Sequence, residues 1–246
     1  MPRFYLPPES WTAGAALTGD EARHLSQVLR IKPGEMLTVF DGKGRRAQAQ
    51  VMNVSRDRVP LKLGEASPTV VPRPPITLAQ AIPKGKNMDL IVQKAVELGV
   101  AAIQPLVTKN TVVQPGEGKA EKWRRTALEA CKQCGQDTLP EIAEPLTLEQ
   151  WLARSETPGP GLRIIASLTP EAVHLKNILR INSDPMSVTL LIGPEGDFSP
   201  EETAVALDQG FLAASLGDIV LRVETASIYC VSVARYEYGD TLAVRV

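Results

Sequence analysis

Three segments of the sequence place small or turn-forming residues between an apolar run and an expected helix start. They are IIASLTPE at 164–171, LLIGPEGDFSPEE at 190–202 and SLGDIVLRVETA at 215–226. Because glycine has no side chain, a flat ligand at Gly193 and Gly196 can contact main-chain N–H and C=O groups directly. Amides at the start of the following helix favour an acceptor or a negative group on that ligand. One such loop is equally typical of a tight turn without a ligand, but three in one chain favour a ligand site.

Known fingerprints of nucleotide-binding loops are absent from the sequence. No Gly-x-Gly-x-x-Gly follows an expected strand, and no Gly-x-x-x-x-Gly-Lys-Ser/Thr occurs. Both motifs use glycines at a helix start to hold phosphates. Their absence weighs against a dinucleotide-dependent oxidoreductase and against a P-loop NTPase, while the spacing of the three segments does not by itself identify their ligand.

Two cysteines, Cys131 and Cys134, lie three residues apart in the segment CKQC. A metal site needs two more ligands in a suitable pattern. The remaining candidates, Cys230, His24 and His174, are all distant in the sequence. We therefore expect no bound metal, and we interpret the two cysteines as packed helix residues.

Basic residues form two groups that suit contacts with RNA phosphates. The first group lies in EARHLSQVLR, where His24 accompanies Arg23 and Arg30, although a lone histidine is more often structural. The second group extends from residue 84 to residue 132. Its candidate RNA contacts are Lys84, Lys86, Lys122, Arg125 and Lys132. The alternative for the second group is i,i+4 pairing on solvated helices.

Charge is distributed unevenly along the chain. Residues 1–132 contain 20 Lys and Arg against 12 Asp and Glu, whereas residues 133–246 contain 7 against 16. Such asymmetry is typical of a protein that presents one basic part to nucleic acid. A solvated surface with uneven charge accounts for it equally well, so composition leaves both alternatives open.

The elements that carry these residues fall into two parts. The first part, up to residue 70, alternates apolar and polar positions, and DGKG at 41–44 supplies a hairpin turn. A short segment with helical spacing precedes this hairpin at 18–34. The proline-rich stretch SPTVVPRPP at 67–75 is interpreted as a linker, because proline stiffens a connection and blocks regular structure.

From residue 76 onward, apolar runs alternate with helical patterns, which predicts a parallel α/β sheet. One helix is expected at 169–180 with Thr169 as its N-cap. Another is expected to begin with a capping box formed by Ser199 and Glu202, and a last one to cover about 225–236. In such a sheet, ligands bind beyond the carboxyl ends of the strands, which is where the three glycine-bearing segments are placed.

Length and composition limit the class of protein. A chain of 246 residues corresponds to one or two domains at roughly 150 residues each. No apolar run reaches the roughly 18 residues of a membrane span, and the start MPRFYLPPES lacks the apolar stretch of a signal peptide. Three cysteines do not make a disulfide framework, so we expect a reducing cytoplasm and no membrane attachment.

Nearly the whole chain resembles the RsmE family of SPOUT methyltransferases. The most specific segments are LLIGPEGDFSPEE and SLGDIVLRVETA. The similarity also includes RFYL at 3–6, HLSQVLRIKPGE at 24–35, DGKG at 41–44, KAVELGV at 94–100, KQCGQ at 132–136 and LPEI at 139–142. The resemblance implies transfer of a methyl group from S-adenosylmethionine to N3 of a uridine in the 16S rRNA of the small ribosomal subunit.

The same resemblance implies a fold and an assembly. Residues 1–70 would form a PUA-like β-barrel that helps to hold RNA. Residues 75–246 would form a SPOUT domain, a parallel sheet with a trefoil knot and helices on both faces, that works as a homodimer. Periodicity alone does not predict a knot, since true knots are rare among protein folds.

The resemblance also places the cofactor in the three segments at 164–171, 190–202 and 215–226. The implied cofactor-binding residues are Ala166, Ser167, Leu168, Ile192, Gly193, Glu195, Gly196, Leu216, Gly217, Ile219, Leu221, Thr225 and Ala226. Two positions depart from the family pattern. Gln136 stands where the family usually has arginine, and Asp197 stands where it usually has glycine. Either the backbone at Asp197 does not need a positive φ, or aspartate tolerates one there.

Methylation of uridine N3 requires removal of a proton, because this nitrogen is mostly protonated near pH 7. Arg222 and Glu224 flank Val223 in LRVETA, and Glu195 lies in GPEG. We expect Arg222 to stabilise the electron-rich uracil and Glu224 or Glu195 to act as the general base. The alternative is that Glu224 caps the following helix and that Glu195 holds loops together.

Two other functions compete with this prediction. A non-catalytic RNA-binding or ribosome-assembly factor would explain the small β domain and the charge asymmetry, but not three glycine-bearing loops at strand ends. A related RNA methyltransferase that acts on another base or on ribose would explain both. Binding of S-adenosylmethionine distinguishes the first alternative, and analysis of the methylated nucleoside distinguishes the second.

Overall fold

The computed structural model describes residues 1–154 and 161–239. The chain divides into two compact units, one formed by Met1–Val71 with Leu128–Leu139 and the other by Pro72–Ala127 with Pro140–Val246. Residues 155–160 and 240–246 of the second predicted domain lie outside the described part.

The first unit contains a six-stranded sheet and a short helix. Its elements are β1 (Arg3–Tyr5), β2 (Ala16–Thr18), α1 (Gly19–Arg23), a π-helical turn (His24–Leu29), β3 (Met36–Phe40), β4 (Arg45–Val51), β5 (Arg58–Leu63) and β6 (Ser67–Pro68). The strand order is β1-β3-β4-β5-β2, with β6 paired to β4. All pairs are antiparallel except β1 with β3, and the sheet curls into a half-barrel.

The hairpin predicted at 41–44 is present, since it joins β3 to β4 in antiparallel register with Val39 opposite Ala47. This unit has an apolar core that includes Phe4, Leu17 and Leu37, all essentially buried. This confirms the prediction of a small β domain at the start of the chain.

The second unit is built on a parallel sheet. Its strands are β7 (Ile76–Ala81), β8 (Ala102–Val107), β9 (Glu141–Ile142), β10 (Leu146–Thr147), β11 (Leu162–Ala166), β12 (Val173–His174), β13 (Val188–Ile192) and β14 (Leu212–Ser215). Its helices are α2 (Asn87–Glu97), α4 (Leu148–Arg154), α5 (Leu175–Ile181), α6 (Pro200–Asp208) and α7 (Val223–Tyr238). The long α3 (Lys119–Cys134) begins in this unit and ends within the segment assigned to the first.

The eight strands have the order β10-β8-β7-β13-β11-β14-β12, with β9 paired to β8, and every pair is parallel. The predicted parallel α/β sheet is therefore confirmed. Parallel strands that follow one another through helical crossovers bring their carboxyl ends to one edge. The ends of β11, β13 and β14, which carry the three glycine-bearing segments, are adjacent because β11 lies between the other two.

Helices cover both faces of this sheet. Ala79, Ile165 and Leu191 pack in one apolar cluster with residues of α4 and α6. Successive strand residues point to opposite faces, so Gln80 faces away from Ala79. Gln80 accepts a hydrogen bond from the Ser227 hydroxyl of α7, which places α7 on the opposite face.

The predicted start of α6 is present in the structure, whereas the predicted start of α5 is not. The capping box of α6 is present, with Ser199 and Glu202 bonded to each other's main chain. The expected N-cap at Thr169 is wrong, because α5 begins at Leu175 and its N-cap is His174, whose Nδ1 accepts from the Lys176 N–H over 3.2 Å. The Thr169 hydroxyl instead bonds Ser167 within the loop.

No helix within residues 1–154 and 161–239 is both long enough and apolar enough to cross a bilayer.

Candidate functional site

A cavity of about 470 Å³ opens at the carboxyl ends of β11, β13 and β14. It is lined by Asn87, Ala166, Ser167, Leu168, Ile192, Gly193, Pro194, Glu195, Asp197, Leu216, Gly217, Ile219, Val220, Leu221, Arg222, Val223, Glu224 and Ala226. The volume lies within the roughly 300–1,000 Å³ of small-molecule sites. The structure thus brings the three glycine-bearing segments together around one space.

Most of the residues predicted to bind a cofactor line this cavity, with two exceptions. Gly196 lies outside the lining, and its carbonyl accepts a hydrogen bond of 2.9 Å from Asn110 Nδ2. Thr225 is exposed in the first turn of α7 and is also outside the lining. Of the lining residues, Asn87, Pro194, Asp197, Val220 and Val223 were not selected from the sequence.

The five lining residues that were not predicted differ in whether the sequence could have indicated them. Pro194, Asp197, Val220 and Val223 all lie inside the motifs that pointed to the site, so selecting whole segments would have included them. Asn87 lies more than seventy residues before these segments, at the start of α2. Only the packing of α2 against α7 brings it to the cavity, and nothing in the local sequence indicates this.

The glycines of the second segment also lie close to neighbouring parts of the protein. A Cβ at Gly193 would stand 3.1 Å from both the Phe198 ring and Asp197 Oδ1, and a Cβ at Gly196 would stand 3.2 Å from Asn110 Cβ. Such contacts are tight, so packing within the protein also favours glycine at both positions. Gly193 lines the cavity with its main chain bare, as expected from the sequence.

Asp197 has φ = 57°, in the left-handed region. The backbone therefore does need a positive φ at this position, and the first alternative is wrong. Aspartate tolerates this region better than most residues because its short side chain bonds locally. Here Asp197 Oδ1 accepts from the Phe198 N–H over 2.8 Å.

The helix start after the second segment satisfies two amides with its own side chains. Ser199 Oγ accepts from the Glu202 N–H at 3.2 Å, and Glu202 Oε2 accepts from the Ser199 N–H at 2.8 Å. Glu202 Oε1 accepts in addition from the Lys109 N–H. The capping box therefore occupies these two amides with acceptors of the protein itself.

The third segment contains the glycine whose conformation matters most. Gly217 has φ = 123°, which side-chain-bearing residues rarely adopt, and a Cβ there would meet nothing within 4 Å. The requirement is therefore conformational and not steric. The Gly217 N–H donates to Ser215 Oγ over 3.3 Å, which fixes the turn after β14.

Two carboxylates of the cavity are tied to residues 84–87, which lead from β7 into the first residue of α2. Glu195 Oε1 accepts from the Lys84 N–H at 2.9 Å. Glu224 Oε2 accepts from Asn87 Nδ2 at 3.2 Å. Both predicted candidates for a general base therefore lie at the cavity, each with one hydrogen bond from this short segment.

Arg222 is the N-cap residue of α7, and its side chain is exposed at the cavity. Among the described residues, no acidic group forms an ion pair with its guanidinium. Its main-chain carbonyl accepts from the Ala226 N–H over 2.8 Å, which sets the first turn of the helix. The guanidinium is thus available to a ligand or substrate.

The lining combines apolar side chains with an excess of negative charge. Glu195, Asp197 and Glu224 carry carboxylates, against the single guanidinium of Arg222. A cleft lined mainly by one sign of charge attracts ligands of the opposite sign. Leu168 and Ile219 are 65% and 77% exposed and place apolar surface at the mouth of the cavity, which suits a ligand with a flat aromatic part.

The predicted RNA contacts of the second unit are all exposed, but only some are free of partners. Lys122 pairs with Asp89, and Arg125 pairs with Glu121 at 3.6 Å. Lys84 and Lys86 have exposed side chains, and among the described residues no carboxylate pairs with either. Both lysines lie in the segment that bonds the two cavity carboxylates.

The predicted RNA contacts near the start of the chain are placed differently from one another. Arg23 is exposed and pairs with Asp20 and Asp57. The His24 ring packs edge-on against Phe4, with centroids 5.9 Å apart, which agrees with a structural histidine. Arg30 is exposed and has φ = 52°, an uncommon conformation for a residue other than glycine.

The prediction that Lys132 contacts RNA does not fit the structure. Its side chain is 8% exposed, and its Nζ donates to Glu21 at 2.7 Å and to Glu129 at 2.9 Å. Burial disfavours the charged amine, but hydrogen bonds and charges from these glutamates outweigh it and raise the pKa of Lys132. The residue stabilises the first unit instead of facing a ligand.

The two helix cysteines, Cys131 and Cys134, differ in their exposure to solvent. Cys131 is buried, and this burial raises the pKa of its thiol to about 12, so the thiol stays neutral and unreactive near pH 7. Cys134 is exposed. Across residues 1–154 and 161–239, no group of three His, Cys, Asp or Glu side chains is arranged to hold a metal ion. Near these cysteines, the Gln136 carbonyl accepts from Arg3 Nη2 at 3.0 Å.

Comparison with protein families gives two matches. A family described as "RNA methyltransferase domain" matches residues 71–235, which include the whole cavity. A family described as "RNA methyltransferase PUA domain" matches residues 17–63, within the first unit.

Individual relatives agree with these families. "Ribosomal RNA small subunit methyltransferase E" from Synechocystis is 32% identical over 225 residues, which cover 91% of this chain and 74% of the relative. The crystal structure of the protein of that name from Neisseria gonorrhoeae, bound to S-adenosyl methionine, is 32% identical with a TM-score of 0.89 and covers 98% of this chain and 100% of its own. A structure from Legionella pneumophila in complex with the cofactor SAM is 34% identical with a TM-score of 0.88, covering 98% and 99%.

Proposed function

Because this chain belongs to the RNA methyltransferase family, we propose that it transfers a methyl group from S-adenosylmethionine to N3 of a uridine in the 16S rRNA of the small ribosomal subunit. The observation that carries the proposal is the convergence of three glycine-bearing segments on one cavity at the carboxyl ends of β11, β13 and β14. The nearly full-length similarity to a small-subunit rRNA methyltransferase with bound S-adenosyl methionine supports both the cofactor and the kind of substrate.

The residues of the cavity fit this cofactor. The excess of carboxylates suits a ligand with cationic centres, and the apolar side chains at the mouth suit an aromatic base. Residues from all three segments, among them Ser167, Gly193 and Gly217, would hold it. When bound, S-adenosylmethionine supplies an electrophilic methyl group on a sulfonium.

Arg222 and Glu224 are the residues that we assign to the uracil. Glu224 is half-buried at the cavity and would accept the proton of N3, the role of a general base. As this proton leaves, negative charge develops on the ring, and the unpaired guanidinium of Arg222 would stabilise it. Both groups lie at the start of α7, so one rigid element sets their positions relative to each other.

We assign Glu195 to a structural role. Its carboxylate is engaged by the main-chain N–H of Lys84, and its side chain belongs to an exposed residue of a constrained turn. This contact joins the second segment to the segment before α2. It agrees with the alternative that Glu195 holds loops together, and it leaves Glu224 as the proposed base.

The rest of the molecule is assigned to RNA binding and assembly. Residues 1–70 would hold RNA as a PUA-like domain, with Arg23 and Arg30 exposed on its surface, and residues 75–246 would form the catalytic domain. Lys84 and Lys86 would contact phosphates beside the cavity. A trefoil knot and a homodimer follow from the family resemblance, and a cytoplasmic location follows from the cysteine content; all three belong to the same proposal.

A methylation assay on isolated small ribosomal subunits tests this proposal. Subunits from a strain without the gene are incubated with the protein and labelled S-adenosylmethionine, and the rRNA is digested to nucleosides for mass spectrometry. We expect label in 3-methyluridine from 16S rRNA. Label in another nucleoside would show a different target atom, and binding of S-adenosylmethionine without transfer would show that the substrate is wrong.

A further inference from the structure

Among the residues that the structure describes, Asn87 is the one that lines the cavity from outside the three segments and the adjoining start of α7. It is the first residue of α2, and its Nδ2 donates to Glu224 Oε2 over 3.2 Å. The bond links the first turns of two helices that pack against each other, α2 and α7. We propose that Asn87 is a positioning residue that orients the Glu224 carboxylate for proton removal; this inference rests on the proposed function.

The placement of Asn87 in its helix supports this role. Asparagine commonly stabilises a helix from the N-cap position, where its side chain accepts a main-chain N–H. The N-cap of α2 is Lys86, and no side chain caps this helix. Asn87 is one residue further on, and its amide is directed to Glu224 instead. The requirements of α2 therefore do not account for an asparagine here.

The chemistry of the bond also suits a base. A neutral amide donor fixes one carboxylate oxygen, Oε2, and leaves Oε1 to accept a proton from the substrate. A cationic donor in the same place would form an ion pair, which stabilises the charged carboxylate and weakens it as a base. The charged groups that line the cavity around Glu224 are Glu195, Asp197 and Arg222, and the charged residues at the start of α2 are its N-cap Lys86 and Asp89 in its first turn.

A double-mutant cycle tests whether Asn87 acts through Glu224. The proteins are the parent, Asn87→Ala, Glu224→Asp and the double variant, because Glu224→Asp keeps a carboxylate on an arm too short to preserve the bond. The readouts are the single-turnover rate of methyl transfer at saturating RNA and S-adenosylmethionine, and the Kd of S-adenosylmethionine by calorimetry. Asn182→Ala is the matched control, since its amide donates to the Ile178 carbonyl away from the cavity.

We expect Asn87→Ala to lower the rate about tenfold in the parent background, the effect of one hydrogen bond to a charged group, with the Kd of S-adenosylmethionine within about twofold. In the Glu224→Asp background it should lower the rate less than twofold further, because the bond is already lost. Asn87→Asp has the same shape as the parent side chain, but it has no donor and carries the same charge as Glu224. It should lower the single-turnover rate more than Asn87→Ala does. Asn182→Ala should keep the parent rate.

Three outcomes would overturn the inference. The first is an unchanged rate in Asn87→Ala, and the second is an equal loss in both backgrounds, which would mean that Asn87 acts independently of Glu224. The third is a loss that appears only in the Kd, which would make Asn87 a ligand contact. If the parent protein methylates uridine at N3 and Asn87→Ala does so at the same rate, only the positioning role is refuted. If the parent protein transfers no methyl group, the proposed function and the positioning role are refuted together.

Discussion

The Lys84 main-chain N–H donates to Glu195 Oε1 over 2.9 Å, and this bond joins the turn after β13 to the segment before α2. Three residues further along the chain, Asn87, the first residue of α2, bonds Glu224. Each of the two carboxylates that could act as a base is therefore held by one neutral donor, but the donors differ in kind. A main-chain donor moves only with the fold, which is typical of a contact that maintains loop geometry.

Glutamine substitutions separate the roles of the two carboxylates. Glu195→Gln keeps an oxygen that can accept from Lys84, so we expect the single-turnover rate to stay within about threefold of the parent. Glu224→Gln removes the proposed base, and we expect the rate to fall by about 100-fold or more. Calorimetry with S-adenosylmethionine should give similar affinities for both variants. The opposite order of the two rates would exchange the assignments of base and loop contact.

Arg222 has no ion-pair partner among the described residues, so its removal leaves no buried carboxylate unpaired. We expect Arg222→Ala to lower the single-turnover rate by about 100-fold, because a guanidinium that faces developing negative charge stabilises the transition state more than the ground state. The thermal unfolding midpoint should not change. Arg180→Ala, which removes an exposed arginine of α5 away from the cavity, is the control. A parent-like rate in Arg222→Ala would remove the proposed role.

The main features of the fold could be predicted from the sequence because they depend on local patterns. Apolar runs that alternate with helical periods predicted the parallel sheet, and Ser199 with Glu202 predicted a helix start that is present. The rule that ligands bind at the carboxyl ends of parallel strands then placed the three segments at one edge. The cavity is at that edge.

Features that depend on tertiary packing could not be predicted in this way. Asn87 reaches the cavity only because α2 packs against α7, and the ring of Phe198, five residues later, leaves little space for a side chain at Gly193. Lys132 looks like its exposed neighbours in the sequence, but Glu21, more than a hundred residues away, engages it. The domains predicted from the sequence are also two continuous stretches of the chain, so they could not assign Leu128–Leu139 to the same unit as the start of the chain.

Gly217 offers a test of the third segment. Since its φ is 123° and the space around it is open, Gly217→Ala should cost about 1–3 kcal/mol through backbone strain alone. We expect the turn to shift and the affinity for S-adenosylmethionine, measured by calorimetry, to fall at least about tenfold. Gly116→Ala is the matched control, because that glycine has open space and no positive φ. Equal affinity in both variants would mean that the conformation of Gly217 does not shape the site.

Lys84 and Lys86 are exposed cations beside the cavity, and no carboxylate of the described residues pairs with either of them. If they contact phosphates, replacing both with glutamine should reduce the slope of log K against log salt concentration by roughly 2, because each lost phosphate contact releases about one counterion fewer. Binding of small-subunit RNA is measured across a range of salt concentrations. Replacing Lys176 and Arg180 of α5 removes the same charge away from the cavity. A slope that falls equally in both double variants would make the effect one of net charge and not of contact.

Lys132 gives a prediction for the pH dependence of stability. Its pKa is raised because Glu21 and Glu129 outweigh the effect of burial, so the charged form is bound more tightly in the folded state than in the unfolded state. The stabilisation is fully present below the unfolded pKa, about 10.5, and is lost as the pH rises through the higher folded value.

We expect Lys132→Met to lower the free energy of unfolding at pH 8 by about 2 kcal/mol, since two charge-assisted hydrogen bonds disappear. In urea titrations from pH 8 to pH 11.5, the difference in free energy of unfolding between parent and variant should shrink above about pH 10.5.

Lys62→Met, which replaces an exposed lysine of β5, is the control and should change the free energy of unfolding by less than about 0.5 kcal/mol at every pH. A difference between the parent and Lys132→Met that stays constant across this range would mean that packing of the lysine stem, and not its charge, stabilises the first unit.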